Sequence, residues 1–117
     1  MPQGSRTERV GEEFREILAE EIQKLKDPRL GFVTVTGVRV SPDLHHAWVY
    51  FTVLGDESAK AGTRAALRSA TKHLRHELGR QVRLKVTPEI ELVEDDTRER
   101  GDRIDRIIEQ LHRGERP

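Results

Sequence analysis

The sequence predicts an α+β fold: a three-stranded mixed sheet with helices packed on one face. Three observations carry this. A long N-terminal segment repeats apolar residues at helical spacing. Two β-rich runs follow, separated by the turn sequence "SPDL" (Ser41 to Leu44). A second long helical segment then separates them from a third β-rich run, so the last two strands should be parallel with a right-handed crossover. The order is α-β-β-α(α)-β-α, with the second strand central.

The first helix is expected from about Arg6 to Lys26. Ser5 and Glu8 have capping-box spacing, and Val10, Phe14, Ile17, Leu18, Ile22 and Leu25 form one apolar face; the opposite face reads as solvated. "DPRLGF" ends the helix, because Pro28 disfavours helical backbone at Asp27. Strand one is expected over Val33 to Val40, with a bulge at Gly37. Strand two, about His45 to Leu54, alternates: Ala47, Val49, Phe51 and Val53 face the helices, while His46, Trp48, Tyr50 and Thr52 face away. Asp56 is the expected N-cap of the second helical region, which reaches about Leu78 and closes on Gly79 as a C-cap. Leu67, Ala70, Leu74 and Leu78 form its apolar stripe. Strand three is expected over Val86 to Glu94, with Ile90 and Leu92 inward. A further helix, capped by Asp96 with Glu99, carries Ile104, Ile107, Ile108 and Leu111 at helical spacing. The expected organisation is one domain over residues 1–117, with an ordered core of about 6–94, a C-terminal helix of about 97–112 and a frayed tail of 113–117.

The 117 residues set a scale of one modest core. With no cysteine, disulfides and thiolate metal sites are excluded. No apolar run is long enough to span a bilayer, and the polar start "MPQGSRTERVGEE" is no signal peptide, so the expectation is a cytoplasmic protein with no membrane partner.

The formal net charge of zero hides an asymmetry. From Ala59 to Thr87 there are eight bases (Lys60, Arg64, Arg68, Lys72, Arg75, Arg80, Arg83 and Lys85) against the single acid Glu77. From Pro88 to Gly101 there are six acids and two bases. On a helical wheel Arg64, Arg68, Lys72 and Arg75 cluster on one flank with His76 beside them, and Arg80, Arg83 and Lys85 continue the run. Most charge runs are solvated faces. A one-sign stripe inside a neutral chain favours phosphate binding on structured RNA, positioned by charge with little base readout. These eight residues are the candidate RNA-binding set.

The ordered series "DPRL", "VTVTGVRVSPDL" (Val33 to Leu44), "AWVYFTVLGD" (Ala47 to Asp56), "LRHELGRQVRLKVTPEI" (Leu74 to Ile90) and "EDDTRERGDRID" (Glu94 to Asp105) resembles the bacterial ribosome-binding factor A family, over about Arg6 to Leu111. The element order resembles a type II KH-like domain. The resemblance implies a non-enzymatic, monomeric ribosome biogenesis factor with no cofactor and no small-molecule substrate. It implies binding to the small (30S) ribosomal subunit or its precursor, and assistance in late maturation and 5′-end processing of 16S rRNA, most important in the cold. It also implies a helix kink around Ala-x-Gly in place of the Gly-x-x-Gly loop of ordinary KH domains. The equivalent here is Ala70, Thr71 and Lys72, with lysine where the family has glycine.

Other constellations carry less. "HLRHE" (His73, His76, Glu77) has neither zincin order and no third ligand, so no metal is expected. Glu94, Asp95 and Asp96 read as helix-capping acids before a cation site. Trp48 and Tyr50 are aromatics of the kind that stack on bases, but cover by packing is the preferred account. The alternatives are a free-standing KH module for single-stranded RNA, which the missing Gly-x-x-Gly disfavours, and a small nuclease built on the acidic cluster, which has least support.

Overall fold

The computed structural model describes residues 6–95. Its order is α1 (Arg6–Gln23), β1 (Phe32–Val40), β2 (His46–Leu54), α2 (Glu57–Gln81) and β3 (Glu89–Glu94). The expected caps at Ser5 and at Asp96 with Glu99, the helix of about 97–112 and the tail lie outside the described residues.

The sheet has the order β1-β2-β3, antiparallel between β1 and β2 and parallel between β2 and β3. Central β2 alternates as its sequence requires: Ala47, Val49 and Phe51 are buried under the helices. The register slips between Val35 and Gly37, so Thr36 is the extra residue of the expected bulge. The Ser41 to Leu44 turn is closed by the Leu44 N–H donating to the Ser41 carbonyl at 2.8 Å. Leu44 takes φ 62°, a costly value for a branched side chain, and its side chain is anchored in the core.

Helix α1 stops at Gln23, three residues before the expected end. There the ladder tightens, the Leu25 N–H donating to the Ile22 carbonyl at 3.1 Å, as the chain prepares for Asp27-Pro28. Its polar face is not uniformly solvated. Glu21 is buried, and its carboxylate accepts from Gln81 Nε2 at 2.9 Å and Lys24 Nζ at 3.2 Å. A buried carboxylate needs such partners, and this one ties α1 to the end of α2.

Helix α2 is capped by Asp56, whose Oδ1 accepts from the Ala59 N–H at 2.8 Å. It buries Thr63, Ala66, Leu67, Ala70, Leu74 and Leu78. It does not close on Gly79. The helix continues to Gln81, with Val82 as its extended C-cap. Gly79 serves close packing instead: a Cβ there would lie 2.6 Å from Thr87 Oγ1. Gly11 does the same for α1, where a Cβ would lie 2.6 Å from the Val38 carbonyl oxygen. β3 begins at Glu89 rather than Val86, directly after the buried Pro88, which has no N–H to give a ladder.

Phe14 is 0% and Phe51 5% exposed. Phe14→Ala or Phe51→Ala should each cost about 3–5 kcal/mol in urea unfolding; less than about 1 kcal/mol at both sites would mean the core faces are misassigned. Gly79→Ala tests the close approach. Alanine favours helix by up to about 1 kcal/mol, so overpacking of about 1–3 kcal/mol leaves an expected net loss of up to about 2 kcal/mol. Gly11→Ala should cost more, because a backbone carbonyl cannot rotate aside as Thr87 can.

Candidate nucleic-acid interface

The rotational setting of α2 sorts its bases. Measured from Leu74 on the buried stripe, Arg64 and Arg75 lie about 80–100° round the helix, Arg68 and Lys72 about 120–160°, and His76 about 200°. The first pair reaches the β3 segment. Arg64 Nε donates to Glu94 Oε1 at 2.6 Å and Nη2 to Oε2 at 3.0 Å, and this pairing raises the Arg64 pKa. Arg75 Nη2 donates to the Thr87 carbonyl at 2.8 Å and Nε to the Pro88 carbonyl at 3.0 Å, with Glu89 Oε1 at 3.3 Å. Arg75 thus clasps the chain entering β3.

Arg68 and Lys72 are exposed on the helix crest with no ion-pair partner among the described residues. Arg80 is exposed but held by Glu77, Nη2 to Oε1 at 2.8 Å; these bonds lower the Glu77 pKa and raise that of Arg80. Lys72, Arg75, His76, Gly79, Arg80 and Thr87 line a cleft of about 620 Å³ beside the crest. Bare Gly79 keeps it open.

Arg83 and Lys85 are exposed but do not join that cleft. They line a second one, of about 420 Å³, against the Ser41 to His45 turn. The eight candidates therefore divide into a crest (Arg68, Lys72, His76), a clasped or paired set (Arg64, Arg75, Arg80) and a loop pair (Arg83, Lys85).

Helix α2 runs unbroken through Ala70, Thr71 and Lys72. At that point Thr71 Oγ1 donates to the Leu67 carbonyl at 3.1 Å, a contact that bends helices without breaking them.

Arg29 is absent from the candidate set that the sequence suggests, where "DPRL" stands as a helix stop and a family motif, yet the loop packs along the other flank of α2. The Gly31 N–H donates to buried Thr63 Oγ1 at 2.9 Å, and Arg29 Nη2 lies 3.3 Å from Ser69 Oγ. Arg29 also holds Asp27, Nη2 to Oδ2 at 2.7 Å, and these bonds lower the Asp27 pKa to about 2. The signal available was the Asp-Pro-Arg turn itself, whose side chains bond locally.

On the open sheet face, Trp48 and Tyr50 are half-buried, and the His46 ring stacks at 4.3 Å, tilted, on Trp48. His46 Nε2 is buried without a hydrogen-bond partner, 3.6 Å from Glu91 Oε1. Asp95 Oδ2 accepts from Thr36 Oγ1 at 2.8 Å. Among the described residues no group of three potential ligands could hold a metal ion. No helix of the described residues is long and apolar enough to cross a membrane.

Fold and site define an α+β domain of order α-β-β-α-β that presents a cationic crest on one unbroken helix. The family model described as Ribosome-binding factor A matches residues 6–108. Ribosome-binding factor A of Geobacter sulfurreducens is 44% identical, covering 92% of both chains, and that of Thioalkalivibrio sulfidiphilus 50% identical, covering 91% of this chain and 83% of its own. A crystal structure of ribosome-binding factor A from Thermus thermophilus matches with TM-score 0.67 at 35% identity, over 75% of this chain and 93% of that one. Coordinates of the Thermus thermophilus factor, fitted into the cryo-EM map of its 30S complex, match with TM-score 0.60 at 37% identity, over 71% and 88%. The chain belongs to the ribosome-binding factor A family.

Two measurements test the local geometry. Arg75→Met should destabilise the fold by about 1–2 kcal/mol through its lost carbonyl bonds, discounted for partial exposure, whereas Arg68→Met should stay within about 0.5 kcal/mol. NMR titration of Asp27 should give a midpoint near 2, against its ordinary 3.8. The folded value is the lower one, so its stabilisation of the loop is present above 3.8 and lost as pH falls through about 2. An unshifted midpoint would mean that Arg29 does not hold it in solution.

Proposed function

We propose that this chain binds the small ribosomal subunit or its late precursor through the α2 crest. There it assists late maturation of 16S rRNA, including 5′-end processing, with its greatest importance at low temperature. It acts as a monomer in the cytoplasm, by binding and without catalysis, cofactor or small-molecule substrate. The observation that carries the reading is the pair Arg68 and Lys72, exposed and without ion-pair partners among the described residues on a helix whose neighbouring bases are engaged. The fitted 30S complex of the Thermus relative supports the choice of partner. Long cations free of ion pairs on a rigid helix suit phosphates of a structured RNA, with the paired bases holding that helix in place.

Co-sedimentation tests it. The protein should pellet with free small subunits and not with large ones; equal pelleting would indicate unspecific attraction to rRNA. Arg75 is left in place, because it clasps the chain entering β3 and reversing it would mix a loss of fold with a loss of binding. Arg68→Glu with Lys72→Glu alone should leave the fold intact and flatten the log–log salt slope by about 1.4–1.8, at roughly 0.7–0.9 per phosphate contact. Lys72→Gly separates charge from backbone. Weaker binding with a shallower slope means Lys72 acts by charge, whereas binding that holds or improves means a bend there matters more.

A further inference from the structure

Leaving α2, the chain alternates: Val82 and Leu84 pack against the core while Arg83 and Lys85 turn outward. They face a rigid wall. In the Ser41 to His45 turn, Asp43 Oδ1 accepts from Ser41 Oγ at 2.7 Å and from the His45 N–H at 3.0 Å, and Ser41 Oγ accepts from the His46 N–H at 3.0 Å. The His45 carbonyl accepts from the Glu89 N–H at 2.9 Å, joining this wall to the start of β3. The cleft between them holds about 420 Å³, within the range of small-ligand pockets. Arg6 also lines it, and Arg6, Arg83 and Lys85 have no ion-pair partner among the described residues. Its acid, Asp43, gives Oδ1 to the turn, while Oδ2 lies 3.7 Å from His45 Nδ1, so three cations face one carboxylate. The cleft is not only cationic. Val86 is 51% exposed and the His45 ring is open to solvent, which gives flat and apolar surface beside the charges.

We propose that this cleft holds an unpaired nucleotide of the bound RNA, its phosphate on Arg83, Lys85 and Arg6 and its base against His45 and Val86. Unstacked bases are taken up on flat side chains beside cations in this way. The proposal rests on the RNA-binding reading above and adds a second anchor, separate from the crest and specific for an unpaired residue. The crest alone would hold phosphates without regard to base pairing.

NMR on the full chain tests it with three probes: inorganic phosphate, a nucleoside 5′-monophosphate and an unstructured RNA hexamer. The hexamer should shift His45, Arg83 and Val86 and bind at least about tenfold more tightly than phosphate, one stacked base being worth that much. The monophosphate carries both the phosphate and the base and should also bind more tightly than inorganic phosphate; if it binds no more tightly than phosphate, the base finds no surface in the cleft and the proposal fails. Arg83→Glu with Lys85→Glu should weaken the hexamer at least about tenfold and flatten its salt slope by about 0.7, the value for one phosphate contact, while Arg68→Glu with Lys72→Glu leaves the cleft shifts in place. His45→Ala with Val86→Ser should weaken the hexamer and leave phosphate unchanged. Shifts confined to α2, or phosphate binding as well as the hexamer, would overturn the proposal. Small-subunit pelleting reports separately: wild type that pellets while the cleft stays silent keeps the function and sinks the second anchor, and the reverse sinks only the choice of partner.

Discussion

Helix α2 can lie on this sheet in only one rotational setting, and the rest of the surface follows from that. Its stripe from Thr63 to Leu78 must meet Ala47, Val49 and Phe51, because no other face of the helix is apolar. Once it does, one flank overhangs β3, the opposite flank meets the Asp27 to Gly31 loop, and a crest is left between them. The loop flank is fixed by the one polar member of the stripe. Thr63 is fully buried, so its hydroxyl needs a partner, and the Gly31 N–H supplies it. The buried Glu21 to Gln81 bond then sets the far end of the helix over α1.

The same setting explains how a neutral protein presents a cationic face. In sequence, the basic and acidic segments follow one another and look like two poles. In the fold, parallel pairing of β3 with β2 lays the acids along the flank of the helix that carries the bases. Arg64 meets Glu94 and Arg75 meets Glu89. Such exposed pairs add little stability. Their effect is to neutralise one flank, so that the remaining field comes from the crest and from the loop after Val82. On the proposed reading, a polyanion therefore meets two narrow cationic surfaces instead of one broad one.

Strand alternation, the Asp56 cap, the bulge beside Gly37 and the core faces were legible in the sequence, because each is a local pattern of side chains. What was not legible depends on distance. A glycine at a helix end and a glycine under a neighbouring chain look the same in sequence, and only the approach of Thr87 to Gly79 separates them. The partners of Arg64 and Arg75 lie in β3 and its approach, beyond any helical spacing rule. Arg29 beside Ser69, and Arg83 and Lys85 beside His45, are brought together by loops whose paths no periodicity describes. Eight bases could thus be named as a group, but not sorted into those that hold the fold and those left for a ligand.

Lys72 is where both levels meet. The ordinary KH grip uses glycines so that backbone N–H groups can reach phosphates. An unbroken helix has already committed those N–H groups to its own ladder, so it cannot grip that way. Lysine at this position favours the ladder where glycine would loosen it. The same lysine puts a long cation on the crest, about one helical turn from Arg68. On the proposed reading, contact with phosphate passes from backbone dipoles to side-chain charge. Such a contact reaches further and constrains base identity less, which suits a surface that positions folded RNA. On the proposed reading, recognition of an individual base is left to the cleft beyond Val82.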